Sequence, residues 1–199
     1  LSVALGQDGV GNAETLYEIR LFEFYQIGIA DMKFEMIEKK VYCALELLRL
    51  HDYYLLKEDI NERSITHKLA EHLQYCFFDY NVDCEYNRNI NEPETSKIIR
   101  ILKSSLEDRD KNTDEKSVYP DIIVHKRGRT DNNLLIVELK KSTSDDTYEY
   151  DYLKLKCYTQ QKAPNTLNYQ IGVFIKLFTG SKWKTSPELI WFERGLQKL

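Results

Sequence analysis

From Lys33 to Leu50 the apolar residues Phe34, Ile37, Val41, Leu45 and Leu48 recur at intervals of three and four. That is the period of an amphipathic helix. The stretch from about Asn61 to Phe77 repeats the pattern with Ile65, Leu69, Leu73 and Phe77, and Asn61 stands where an N-cap belongs. Val82 to Tyr86 alternates like a half-buried strand. Glu94–Leu102 predicts a short helix. Ser104–Ser117 is polar, charged and without period, which predicts a mobile insertion loop. Residues 14–27 are rich in aromatic and branched side chains and suit a helix or a strand. Gly6, Gly9 and Gly11 follow no strand, so they predict a flexible N-terminus rather than a phosphate-binding loop.

The C-terminal half is sharper. Tyr119–Lys126 predicts a strand, and the KRGRTDNN segment after it a turn. Leu134–Lys140 is nearly apolar on both faces and so predicts a central strand. Tyr148–Gln161 predicts a helix with Tyr150, Leu153 and Cys157 on one side. Asn168–Phe178 predicts a long strand ending at Thr179 and Gly180, and Leu189–Phe192 a last short one. Helix, three strands, helix and strand, with extra helices in front, imply an α/β layered domain with a mixed sheet. Residues 1–60 read as an N-terminal extension with helices packing on the core, and 61–199 as the core domain.

Composition narrows the class. The 199 residues are 42% hydrophobic and 30% charged, as in a soluble globular chain. No apolar run nears the roughly 18 residues of a membrane span. The first residues lack the basic and apolar regions of a signal peptide, so the cytoplasm is the expected location. Cys43, Cys76, Cys84 and Cys157 have no zinc-site spacing and read as reduced thiols. His51, His67, His72 and His125 form no metal spacing either. The net charge is -4, unevenly spread: residues 121–199 carry +4 and residues 1–120 carry -8. The positive half suits a phosphate backbone, and solvated faces of both signs would give the same count.

Chemistry concentrates on the two middle strands. Glu138 and Lys140 are two apart on a strand, so they share a face with Leu134 and Ile136. Asp121 opens the neighbouring strand after Pro120. If the strands pair as a hairpin, two carboxylates and a lysine converge at the edge of an apolar sheet. Other acid-to-lysine pairs, such as Glu38 and Lys40, lie on helices or loops. The plain alternative is a surface salt bridge at a strand end. Burying such charges unpaired is costly, which favours a functional reason for them. No nucleophile elbow, no phosphate loop of the Walker type and no zinc-protease motif occurs in the sequence.

Pro120-Asp121 with Glu138-Leu139-Lys140, in this element order, resembles the PD-(D/E)xK nuclease superfamily over about Asn61 to Phe178. The resemblance implies a restriction-endonuclease-like three-layer core, a central mixed sheet flanked by helices, with extra N-terminal helices added. It implies that Asp121 and Glu138 bind Mg²⁺, with Mn²⁺ as a substitute, joined by the Leu139 carbonyl, and that Lys140 positions or activates the attacking water. It also implies an acidic residue on the helix before the core strands. Glu62 and Glu71 compete for that role, and Glu62 is chosen because it shares the inward stripe of Ile65 and Leu69. A first-turn glutamate is favoured by the helix dipole in any case. Many members carry Gln-x-x-x-Tyr on the following helix; here Lys154 and Tyr158 hold those positions, lysine in place of glutamine. Lys154, Tyr158 and Lys141 are thus expected nucleic-acid contacts, with Lys126, Arg127 and Arg129 as further phosphate candidates. The expected function is a Mg²⁺-dependent nuclease acting on DNA more readily than RNA. The alternative is an inactive nuclease-fold module that binds nucleic acid or a protein partner. A homodimer or larger assembly fits either.

Overall fold

A computed structural model describes residues 33–86, 98–99, 116–117, 119–129, 132–145, 147–161 and 167–198. The chain divides into two units, Leu1–Lys33 and Phe34–Leu199, and the second holds every helix and strand described. The glycine-bearing N-terminus, the 14–27 stretch, and most of the 94–102 and 104–117 segments lie outside the described residues.

Four helices and eight strands are described: α1 (Phe34–His51), α2 (Tyr53–Lys57), α3 (Glu62–Cys76), β1 (Asn81–Cys84), β2 (Ile98–Ile99), β3 (Lys116–Ser117), β4 (Ile122–His125), β5 (Asn133–Lys141), α4 (Glu149–Thr159), β6 (Ile171–Leu177), β7 (Glu188–Glu193) and β8 (Leu196–Gln197). Six strands form one mixed sheet in the order β1-β4-β5-β6-β7-β8. Only β5 and β6 run parallel, joined through α4; every other neighbour is antiparallel. This is a mixed α/β architecture.

The helices form where the periodicity places them. Ile37, Val41, Leu45 and Leu48 are buried along α1, and Ile65, Leu69 and Leu73 along α3. Asn61 caps α3, its side chain accepting a hydrogen bond from the Ser64 N–H at 2.9 Å. β5 is buried from Asn133 to Leu139, as expected of a strand covered on both faces. On one face Ile123, Ile136, Phe174 and Phe192 pack with Leu155 and Tyr158 of α4. On the other, Trp191, which alternates with Phe192, meets the Phe34 ring of α1 edge to face at 5.2 Å. Helices therefore cover both faces of the sheet.

One expectation is corrected and one is extended. Ile98 and Ile99 are extended, not helical, and pair with Ser117 and Lys116, so the end of the expected loop is strand as well. On α4 Cys157 is buried in the core and Tyr150 and Leu153 are half-buried against it, and the buried residues also include Asp151, Lys154, Leu155 and Tyr158. The inner face of α4 therefore carries two charged residues, which an apolar stripe does not reveal. No helix among the described residues is long and apolar enough to cross a membrane.

Candidate active site

The register of β4 and β5 builds the site. Ile122 lies opposite Val137, so one step on Asp121 lies opposite Glu138. Ile136, Glu138 and Lys140 share one face of β5 by alternation. Ile136 packs with Leu155 and Tyr158, so this is the face covered by α4. Asp121 Oδ2 accepts the Leu139 N–H at 2.7 Å. In an extended strand the N–H and C=O of one residue point to the same edge, so the Leu139 carbonyl also faces the Asp121 side.

Glu138 is 1% exposed. Its Oε2 accepts from Lys154 Nζ at 2.6 Å, and Lys154 also meets Asp151 Oδ1 at 2.9 Å. Its Oε1 is buried with no hydrogen-bond partner among the described residues. Burial, and then the charge of Asp121, push Glu138 well above the usual carboxylate range, against the pull of Lys154. Burial also pushes Asp121 up to about 6, opposed by the Leu139 N–H, Lys154 and Lys140 and reinforced by Glu62. Burial lowers both lysines, but neighbouring carboxylates outweigh it. Glu138 and Asp151 raise Lys154, and Glu62, Asp151 and Asp121 raise Lys140. Both lysines are ammonium ions at neutral pH.

Glu62 stands at the start of α3 and reaches the end of β5. Its Oε1 accepts from Lys140 Nζ at 3.2 Å and its Oε2 from the Lys141 N–H at 3.1 Å. Glu71 lies elsewhere, on the outer side of α3 with Lys68 and His67. Glu62 thus joins the cluster, and its two oxygens tie Lys140 and the strand end to the start of α3. Lys141 is turned to the other face and holds the segment before α3. Its Nζ donates to Asp59 Oδ1 at 2.9 Å and to the Ile60 carbonyl at 3.1 Å.

The expected nucleic-acid contacts need correcting. Tyr158 is 0% exposed, its ring set against Tyr169, so it is a core residue. Lys154 is 9% exposed and engaged by two carboxylates. Lys141 is engaged by the backbone and side chain of Asp59. Lys126 and Arg127 follow β4 at the end opposite Asp121, where Arg127 pairs with Asp83 and Lys126 donates to the Asp79 carbonyl. Asp151 is the residue that sequence reasoning passes over. Its signal is present all the same: an acid three before a lysine on the helical face of Leu155 and Tyr158.

The donor set fits a hard cation. Among the described residues no group of three His, Cys, Asp or Glu side chains is placed to hold a metal ion. Two facing carboxylates remain, Asp121 and Glu138, and Mg²⁺ commonly takes one or two carboxylates and keeps several waters. The orphaned Glu138 Oε1 is the atom such an ion would satisfy. No family model matches the chain, and no curated protein or solved structure matches it.

Proposed function

We propose that this chain is a metal-dependent nuclease that hydrolyses phosphodiester bonds, DNA in preference to RNA, on a restriction-endonuclease-like core. One observation carries the reading: Asp121 faces Glu138 across β4 and β5, with Lys140 two residues further on the same strand face. On this reading Asp121, Glu138 and the Leu139 carbonyl hold Mg²⁺, or Mn²⁺ in its place. When bound, the ion neutralises phosphate charge and lowers the pKa of a coordinated water. Lys140 acts as a hydrogen-bond donor and a fixed positive charge rather than as a base, since its carboxylate neighbours keep it protonated. Glu62 holds the Lys140 ammonium, and α4 shuts water away from the buried side of Glu138. The four cysteines, read as thiols rather than disulfides, suit a reducing compartment such as the cytoplasm.

The test is direct. Circular duplex, linear duplex, single-stranded DNA and RNA are incubated with the protein in Mg²⁺, in Mn²⁺ and in EDTA. Cleavage is expected with either metal and not in EDTA. Asp121→Asn, Glu138→Gln and Lys140→Met should each lower it by roughly 100-fold or more while the fold is retained. Full activity of Lys140→Met, or no cleavage of any substrate by the wild type, rejects the nuclease. In the second case, retained nucleic-acid binding would point to the inactive-module alternative.

A further inference from the structure

Lys154 occupies an unusual place for a lysine beside a proposed phosphate site. It is buried on the inner face of α4, between Glu138 Oε2 at 2.6 Å and Asp151 Oδ1 at 2.9 Å. All three side chains are nearly sealed from solvent. A lysine fixed by two buried carboxylates does not swing out to a phosphate. It stands instead against one of the two carboxylates assigned to the cation.

The charges around this end of the sheet divide in a simple way. In the ionised state that a bound cation requires of its carboxylates, Glu62, Asp121, Glu138 and Asp151 carry four negative charges, and Lys140 and Lys154 carry two positive ones. Lys140 offsets Glu62, and Lys154 offsets Asp151 through a contact it shares with Glu138. Two negative charges remain, enough for one divalent ion. Geometry adds a second constraint. Glu138 Oε2 is committed to Lys154, while Oε1 has no partner among the described residues. A cation reaching Glu138 meets one oxygen, with an ammonium already on the other.

We propose that Lys154, anchored by Asp151, is an internal counter-ion that holds Glu138 for one-oxygen contact and lowers the site's affinity for divalent cations. Lys154 is a positioning residue, not a catalytic one. The proposal rests on the metal site of the nuclease reading. It makes a prediction of opposite signs. Lys154→Met leaves three uncompensated negative charges and should bind a divalent ion more tightly. Asp151→Asn leaves one and should bind it more weakly. Each charge lies inside the cluster, where Coulomb forces are least screened, so changes of about tenfold or more are expected. A purely structural role for the pair would instead weaken binding in both variants.

The experiment is calorimetric titration with Mn²⁺, without nucleic acid, on the full chain, with circular dichroism as a check on folding. Lys154→Met should gain affinity, Asp151→Asn should lose it, and the double variant should return close to wild type because its charge sum is restored. Lys156→Met, on the exposed side of α4, should leave affinity unchanged. If Lys154→Met fails to fold, Asp151→Asn and the double variant decide the matter by themselves. Weaker or equal binding by a folded Lys154→Met, or tighter binding by Asp151→Asn, overturns the proposal and leaves the metal site standing. A wild type that binds no Mn²⁺ overturns both.

Discussion

Asp121 shows how one residue carries opposing demands. Burial raises its pKa, while the Leu139 N–H and two ammonium groups work to lower it, and it settles at about 6. The folded state therefore holds this proton more tightly than the unfolded chain, whose aspartate titrates near 3.8. Its contribution to stability is complete below the unfolded value and is lost as pH rises through about 6. Glu138, also raised, acts in the same direction. Without metal, the protein should grow more stable as pH falls from about 7 to about 5, by on the order of 1 kcal/mol. Asp121→Asn keeps an acceptor for the Leu139 N–H and removes the charge. It should melt above wild type in EDTA at neutral pH and lose part of the acid-side gain. Thermal melts across that range decide the point. A variant less stable at neutral pH, with the wild-type pH response, would make Asp121 a structural acceptor at a strand start.

Among the elements, α4 is the hardest to read from sequence and the most consequential. The motif residues are legible because Asp121, Glu138 and Lys140 end apolar strands, where a charge is conspicuous. α1 and α3 are legible because their apolar stripes face one packed interior. On α4 the inward face includes Asp151 and Lys154, the lysine bonded both to Asp151 and to Glu138 sixteen residues upstream of it. A partner at that separation leaves no local period, so the apolar pattern shows Tyr150, Leu153 and Cys157, which do pack in or against the core, and not the two charged residues beside them. The pairing of Ile98–Ile99 with Lys116–Ser117 is hidden for the same reason, being two residues long and non-local. What seats α4 on the sheet is Gly172. A β-carbon there would lie 3.1 Å from Thr159 Cγ2 and 3.2 Å from Leu155 Cδ2. Thr159 cannot turn away cheaply, since its Oγ1 donates to the Leu155 carbonyl at 2.8 Å and accepts the Gly195 N–H at 3.2 Å. Gly172→Ala should therefore destabilise by about 1–2 kcal/mol despite alanine's lower backbone entropy cost. Thr159→Ser, which deletes Cγ2 and keeps the oxygen, should recover part of that loss in the double variant. Denaturant melts measure both. A Gly172→Ala protein as stable as wild type would mean that α4 is seated loosely and does not fix Lys154.

At the scale of the whole molecule, charge sets how a polyanion can bind. The chain carries a net charge of -4, and the end of the sheet around Asp121 and Glu138, once its carboxyl groups are ionised, is left with two negative charges of its own. Lys140, Lys141 and Lys154, the cations of the motif and its neighbours, are each held by carboxylates of the same chain. Without a cation, a phosphate approaching this end of the sheet meets repulsion that these lysines do not relieve. A divalent ion reverses the sign of that local field, and the reversal is strongest where water is excluded. We therefore expect nucleic-acid binding to depend on the cation rather than on a standing basic surface. With a labelled oligonucleotide at about 0.15 M salt, fluorescence anisotropy should show binding at least about tenfold tighter in Ca²⁺, chosen to occupy the site without supporting turnover, than in EDTA. The salt dependence in EDTA should be shallow, because few protein cations would release counterions from the phosphates. Glu138→Gln should remove most of the Ca²⁺ effect while leaving the weak binding in EDTA in place. Equal affinity in Ca²⁺ and EDTA, with a steep salt slope in both, would mean that a basic surface elsewhere on the chain holds the nucleic acid. The carboxylate pair would then be unnecessary for binding.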